Sequence, residues 1–168
     1  VAVLTGAGTS AESGVPTFRD AMSGVWSDFR PEDLATPEAF ERNPRLVWDW
    51  YAARRAQVSQ VRPNAGHETL ARLARRYTSF TVITQNVDGL HQAAGSRDVI
   101  ELHGNLRRVK CFERGHPAET WEETGEVPPR CPQCQGRLRP DVVWFGEALP
   151  EAELDRALAS GAELIGVN

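Results

Sequence analysis

The chain has 168 residues, 40% of them hydrophobic and 25% charged, with a formal net charge of -4. That length permits one domain with a sizeable core, or one domain plus a small module. The acidic balance argues against a non-specific nucleic-acid binder, which needs a basic surface to neutralise phosphates.

No run approaches the length of a membrane span and no charged-then-apolar leader precedes a cleavage site, so the cytoplasm is the expected compartment. Three cysteines, two of them in Cys131-Pro132-Gln133-Cys134, point to metal rather than to a disulfide framework.

Val1-Ala2-Val3-Leu4 reads as a strand that feeds the loop from Gly6 to Arg19. Gly6-Ala7-Gly8 puts a tight turn at the strand's end and lets backbone approach a ligand closely. Ser10, Ala11 and Ser13 suit the start of a short helix whose N–H groups face phosphates. Ala11 stands where the third glycine of Gly-x-Gly-x-x-Gly falls, and such turns also occur without a nucleotide. Residues 14–35, punctuated by Gly and Pro, read as a loop over a site. Thr36-Pro37 and Asn43-Pro44 each set a capping side chain before a proline, so two helices begin there, the second running through Leu46, Trp50, Ala53 and Val58. Asn64 caps another, with Leu70, Leu73 and Ala74 at helical spacing. Phe80 to Thr84 and Val99 to Leu102 read as strands with a short helical piece around Leu90 between them, an alternation that implies a parallel sheet. Residues 106–139, with cysteines and Pro128-Pro129, break the rhythm as a small inserted module. Pro140 to Phe145 returns to strand character, and Pro150 to Ser160 is a helix leading into a strand at Leu164-Ile165-Gly166-Val167.

Polar residues gather at the predicted strand ends. Gln85-Asn86-Val87-Asp88 lies just past one, where ligands bind in open α/β sheets, although Asn86 or Asp88 also suits the cap of a following helix. His103-Gly104 closes the next strand, and His103 reads either as a satisfied structural residue or as a general base. Three strand ends carrying polar or glycine-rich residues tilt the balance toward a site.

Four ordered motifs resemble those of the sirtuins, the NAD-dependent protein-lysine deacylases, collinearly over almost the whole chain. Gly6 through Phe18-Arg19 is similar to the family's cofactor loop, Gln85 through Asp88 to its nicotinamide and ribose motif, and His103-Gly104 to its catalytic histidine. Val143-Trp144-Phe145-Gly146-Glu147 is similar to the loop that clamps the peptide substrate. The resemblance implies an α/β fold: a Rossmann-like parallel sheet with helices on both faces over residues 1–105 and 140–168. It also implies a helical cofactor-loop insertion at 14–76 and a zinc-ribbon-like module at 106–139. It makes His103 the base toward a ribose hydroxyl after the acyl-lysine oxygen has displaced nicotinamide. Asn86 and Asp88 hold the nicotinamide amide, Gln85 contacts ribose, Phe18 shields the cationic centre and Arg19 steers the cofactor. Gly6, Ala7, Gly8, Ser10, Glu12, Trp26 and Val87 complete the implied NAD-binding set. The implied partners are acylated lysines of proteins, with neither nucleic acid nor membrane.

Tyr51 and Arg54, three apart on one helix face, lie in Trp50-Tyr51-Ala52-Ala53-Arg54-Arg55, which resembles the class III sirtuins that remove succinyl and malonyl groups. There the pair binds the distal acyl carboxylate, which a guanidinium fork and a phenol suit, and Ala21 leaves room for the longer chain. An amphipathic helix with a snorkelling arginine is the plainer reading of Tyr-x-x-Arg. Val143, Trp144, Phe145 and Gly146 are the implied peptide clamp.

Sirtuins carry two Cys-x-x-Cys pairs, whereas here the first is Cys111-Phe112-Glu113-Arg114. Cys111, Cys131 and Cys134 can bind structural zinc completed by His116 or a water, form a ribbon that has lost its metal, or oxidise as a pair. The chain stops at Asn168, before the Gly-Thr-Ser turn and adenosine-binding segments of the family, which implies a fragment or a shortened enzyme. The rival activities are plain deacetylation, ADP-ribosyl transfer, and non-catalytic binding of NAD or acyl-lysine.

Overall fold

Thr81-Val82-Ile83-Thr84 is buried at every position, the mark of a central strand covered on both faces. In the computed structural model, which describes residues 1–17, 20, 27–121 and 124–160, this strand is β2 (Thr81–Thr84). It pairs in parallel with β1 (Ala2–Thr5) on one side and β3 (Val99–Glu101) on the other. The expected strand at 164–167 lies outside the described residues, as do Phe18, Arg19, Ala21 and Trp26.

The chain divides into two compact units, each assembled from separated segments. The first comprises Val1–Val15, Gln60–Gly104 and the described part of Ala148–Asn168. Its core is Ile83, Ile100, Leu102 and Ala157, with Ala2 and Leu4 packed against it, so the helix α7 (Glu151–Ala159) covers the sheet through Ala157. α1 (Ala7–Ala11) follows β1 directly, three residues earlier than the Ser10 start the small residues suggest. α5 (Ala65–Leu73) starts at its Asn64 cap, whose Oδ1 accepts from Gly66 N (2.9 Å) and His67 N (3.3 Å). The Asn64 Nδ2 donates to Thr9 O at 2.8 Å, so one side chain caps a helix and ties it to the loop after β1. α6 (Leu90–Ala93) starts after Gly89, whose φ of 73° lies in the left-handed region that favours glycine.

The second unit comprises Pro16–Ser59 and Asn105–Glu147. Within residues 14–35, read as loop, Pro31–Leu34 forms the short helix α2, closed by Arg30 and Asp33. Thr36 caps α3 (Pro37–Arg42) by accepting Ala39 N at 3.1 Å. Asn43 Oδ1 accepts Leu46 N at 3.1 Å at the start of α4 (Pro44–Ser59), so both proline-led helices form where expected. A three-stranded sheet has the order β5-β4-β6, with β4 at Gly104–Cys111, β5 at Pro117–Ala118 and β6 at Leu138–Val142. Trp48 of α4 joins Val109, Cys111, Ala118, Cys131 and Leu138 in one buried cluster. The strand character read at 140–145 therefore belongs beside β4, not in the parallel sheet. Asp141 of β6 holds Arg108 (3.0 Å) and Lys110 (3.1 Å) of β4, a charge match that fixes this pairing. Among the described residues no helix is long and apolar enough to cross a membrane.

Candidate functional site

Thr5, Thr84 and Glu101 are register partners at the carboxyl ends of the parallel strands, so Gly6, Gln85 and Leu102 leave the sheet side by side. Three of the segments singled out from sequence are thus neighbours at one sheet edge, where open α/β folds bind ligands. Gly6 caps α1 with extended backbone (φ -140°, ψ -167°) and, among the described residues, without a side-chain cap bond. Its glycine is therefore not required for conformation. Among the described residues, a Cβ added at Gly8 would meet no atom within 4 Å, and one at Gly6 would meet only Gln85 Oε1, at 4.0 Å. Among the described residues packing gives no reason for glycine here, and the backbone is left open to a closely approaching ligand. Ala7, Gly8 and Glu12 are exposed beside it.

Ser10 and Asp88, 78 positions apart, are buried to 2% and 3% exposure and share a 2.7 Å hydrogen bond in which the hydroxyl donates to the carboxylate. Asn86 Nδ2 donates to Ser10 Oγ (3.1 Å) and to Gly6 O (2.9 Å), so the side chain after β2 holds the loop after β1. The second Asp88 oxygen accepts Leu90 N at 2.9 Å. Asp88 therefore does cap the helical turn, as its plainer reading had it, while its other oxygen is spent on Ser10. Val87 is half-buried between them and Gln85 is exposed.

Two histidines not singled out from sequence complete this cluster. Asn64 N–H donates to His67 Nδ1 (3.3 Å), which places the His67 proton on Nε2, 3.4 Å from Ser10 Oγ. His91 Nε2 lies 2.9 Å from Thr5 Oγ1, and the two imidazoles stand 4.7 Å apart, both fully buried. Burial holds the His67 pKa below its ordinary value against the pull of Asp88. Burial, reinforced by His67, brings His91 down to about 4. Both rings are thus neutral at pH 7. The only sequence signal for His67 is its place at the third position of an Asn-capped helix, which reads as ordinary capping.

His103, half-buried, lies 3.0 Å through Nδ1 from the Gln85 carbonyl. A carbonyl only accepts, so Nδ1 carries the proton and Nε2 presents a lone pair. That is the tautomer a general base requires, oriented by the backbone of the neighbouring strand end.

In the second unit, Tyr51 and Arg54 lie on α4, at 4% and 9% exposure. Burial drives the Tyr51 phenol far above its ordinary range, so it stays protonated, and the same cause lowers Arg54. The Arg54 guanidinium sits 5.2 Å from the Trp50 ring centroid. In the 143–146 loop Trp144 is buried and Phe145 57% exposed, while Phe145 N donates to Ala35 O at 2.9 Å. Val143 is half-buried, and Gly146 takes φ 87° to turn the chain. Buried Arg139, beyond the residues read from sequence, grips Glu147 with both terminal nitrogens at 2.5 and 2.9 Å.

Cys111, His116, Cys131 and Cys134 bring one ligand atom each to within 4.8 Å of one another. Cys111 and Cys134 sulfurs are 3.5 Å apart, and Cys131 Sγ is 3.9 Å from His116 Nδ1. Tetrahedral zinc with Zn–S near 2.3 Å sets its sulfurs about 3.8 Å apart, so this Cys3His set fits the ion. Burial raises the Cys131 thiol, but hydrogen bonds from His116 and from the Gln133 and Cys134 backbone outweigh it and bring it to about 7. Arg114, in the place of a fourth cysteine, is exposed, and His116 two residues on supplies the missing donor.

A family model described as Sir2 family matches residues 6–165. An Aquifex aeolicus protein named NAD-dependent protein deacylase is 55% identical over 160 residues, covering 94% of this chain and 66% of that protein. A solved structure described as a Sir2 homolog–NAD complex superposes with a TM-score of 0.83 at 50% identity, over 95% of this chain and 62% of the other. A second, of a Sir2 variant with a deacetylated p53 peptide and 3'-O-acetyl ADP ribose, gives 0.78 at 33% identity, over 96% and 67%. The chain thus spans about two thirds or less of the length of the curated relatives it matches first. With the strand-end cluster in the first unit and the metal-ligand set in the second, these likenesses leave one conclusion: the chain belongs to the Sir2 family.

Proposed function

We propose that this chain is an NAD-dependent protein-lysine deacylase whose preferred acyl groups are succinyl and malonyl. The observation that carries the activity is the juxtaposition of open glycine backbone, Asn86, Asp88 and a Nδ1-protonated His103 at adjoining parallel strand ends. NAD supplies an electrophilic anomeric carbon with nicotinamide as its leaving group, and is consumed.

The Gly6–Glu12 segment offers uncapped backbone N–H groups and unfilled space to the phosphates, with Ala7 and Gly8 at the surface. Ser10 is fully engaged by Asp88 and Asn86, so its role is to hold the two nicotinamide-binding side chains rather than to meet the cofactor first. Gln85 contacts ribose and Val87 lines the same turn. His103 Nε2 takes a proton from a ribose hydroxyl, and the resulting imidazolium is stabilised by its Nδ1–H bond to the Gln85 carbonyl. Phe18, Arg19 and Trp26 are proposed as further cofactor contacts on the basis of the motif they occupy.

The acidic-acyl preference rests on Tyr51 and Arg54, a protonated phenol and a guanidinium one helical turn apart on α4. Val143 to Gly146 pair with the peptide backbone, and Ala21 is proposed as an acyl-chain residue on the basis of the motif it occupies. The Cys3His cluster holds zinc in a structural role.

Incubation with NAD and succinyl-, malonyl- or acetyl-lysine peptides, read by product mass, tests the proposal. Deacylated peptide and nicotinamide are expected, with turnover abolished in His103→Ala. A faster reaction on acetyl-lysine that Arg54→Met leaves unchanged overturns the acyl preference.

A further inference from the structure

The indole N–H of Trp144 can only donate, so at 3.0 Å the Tyr51 oxygen accepts it and the phenol's single proton is directed elsewhere. Both groups are buried, at 2% and 4% exposure, where an ill-directed hydroxyl is costly and a fixed one stays put. Trp144 is itself held from several sides. Its backbone N–H donates to Glu147 Oε2 at 2.8 Å. The Arg139 guanidinium lies 3.3 Å from its ring centroid, and Phe40 and Phe112 pack at 5.5 and 6.4 Å. Arg139 in turn grips both Glu147 oxygens and donates to Val142 O at 2.8 Å. The chain of contacts runs from the latch Arg139–Glu147, through Trp144, to the Tyr51 hydroxyl, all within the second unit.

We propose that Trp144 is a positioning residue for acyl selectivity: its indole N–H occupies the acceptor side of the Tyr51 oxygen and so presents the phenol proton, beside Arg54, to a carboxylate at the far end of the acyl group. An acetyl group has no such carboxylate and gains nothing from the arrangement. The Arg139–Glu147 latch fixes the indole and thereby couples the loop at 143–146 to selectivity. This inference rests on the acidic-acyl reading of Tyr51 and Arg54.

The test is the ratio of affinities for succinyl-lysine and acetyl-lysine peptides of one sequence, by titration calorimetry on the protein and its variants. Trp144→Phe keeps an aromatic ring under Arg139 and removes only the donor and part of the volume. It is expected to lower the ratio by about 3- to 10-fold, the weight of one hydrogen bond. In a Tyr51→Phe background the same substitution should change the ratio by less than about 1.5-fold, because the group it positions is gone. Arg139→Lys, which keeps the charge but loses the fork, should lower the ratio in the same direction. An equal drop in both backgrounds, or no drop in the Tyr51-containing protein, overturns the proposal. If Arg54→Met leaves the ratio unchanged, the acidic-acyl reading itself falls. If Arg54→Met collapses the ratio and Trp144→Phe does not, only the positioning role falls.

Discussion

Replacing Ser10 with alanine tests whether the strand-end cluster is built by the hydroxyl at its centre. That oxygen donates to Asp88 at 2.7 Å and accepts from Asn86 at 3.1 Å, with His67 Nε2 at 3.4 Å. The bond to a buried carboxylate is charge-assisted and contributes about 1.5–3 kcal/mol, and the neutral bond from Asn86 about 0.5–1.5 kcal/mol. Alanine removes one oxygen and opens little volume, so lost hydrogen bonding dominates and the expected cost is about 2–4 kcal/mol. In urea, with a slope of about 2 kcal/mol per molar, the unfolding midpoint should fall by about 1–2 M. Asp88→Asn should lose much of the same energy, and the double variant should cost clearly less than the sum of the two singles, since both remove one bond. A midpoint shift below about 0.25 M, or strict additivity with Asp88→Asn, would refute the reasoning, because a buried carboxylate deprived of its donor cannot be so cheap.

The buried imidazoles make stability sensitive to acid. Below pH 6.5 the unfolded chain protonates the His91 ring while the folded chain, with His91 near 4, does not, so stability present above pH 6.5 is lost as pH falls toward 4. About 2 kcal/mol should disappear between pH 6.5 and 5, measured as urea midpoints; an unaltered slope in His91→Gln would count against it. Gly8→Ala, inside α1 with open space around it, should raise stability by about 0.5–1 kcal/mol while weakening NAD binding in calorimetry, and unimpaired NAD affinity would remove the case for close backbone approach. Gly136→Ala should lower metal affinity, since its Cβ would lie 2.5 Å from Glu113 Oε2 and 3.0 Å from Cys111 Sγ; tight metal binding in that variant would contradict it. Cobalt loading should give a tetrahedral thiolate spectrum that His116→Ala alters and Arg114→Ala does not, and identical spectra for wild type and His116→Ala would exclude His116 as a ligand.

What was legible in the residues was whatever is encoded locally. Thr36-Pro37, Asn43-Pro44 and Asn64 each carry their cap within three positions, and all three helices start where those signals stand. The buried run at Thr81–Thr84 was equally plain. The pairing of Leu138–Val142 was not, because its neighbour is chosen by Asp141 meeting Arg108 and Lys110 some thirty positions earlier. At the sheet edge, Asn86, Asp88 and His103 were nameable from their positions after strands. His67 and His91 were not, because a histidine in a helix carries no local mark of the ring it will face, and their partners Ser10 and Thr5 are 57 and 86 positions away. Arg139 shows the same limit. In sequence it is one more arginine of a charged module, and only its fork on Glu147 and its seat over Trp144 give it work.

Interleaved segments also set the order in which this protein can assemble. Among the described residues β1 finds its sheet neighbour at Thr81–Thr84, and the first unit is complete only once α7, in the described part of Ala148–Asn168, has followed. On a ribosome adding about 5–20 residues per second, β1 stands unpaired for roughly 4–15 s after synthesis. Its apolar Ala-Val-Leu edge is meanwhile a template for foreign strands. A nascent chain of this kind depends on being shielded until β2 emerges, so its yield in cells should respond to translation speed and chaperone supply more than its folded stability suggests.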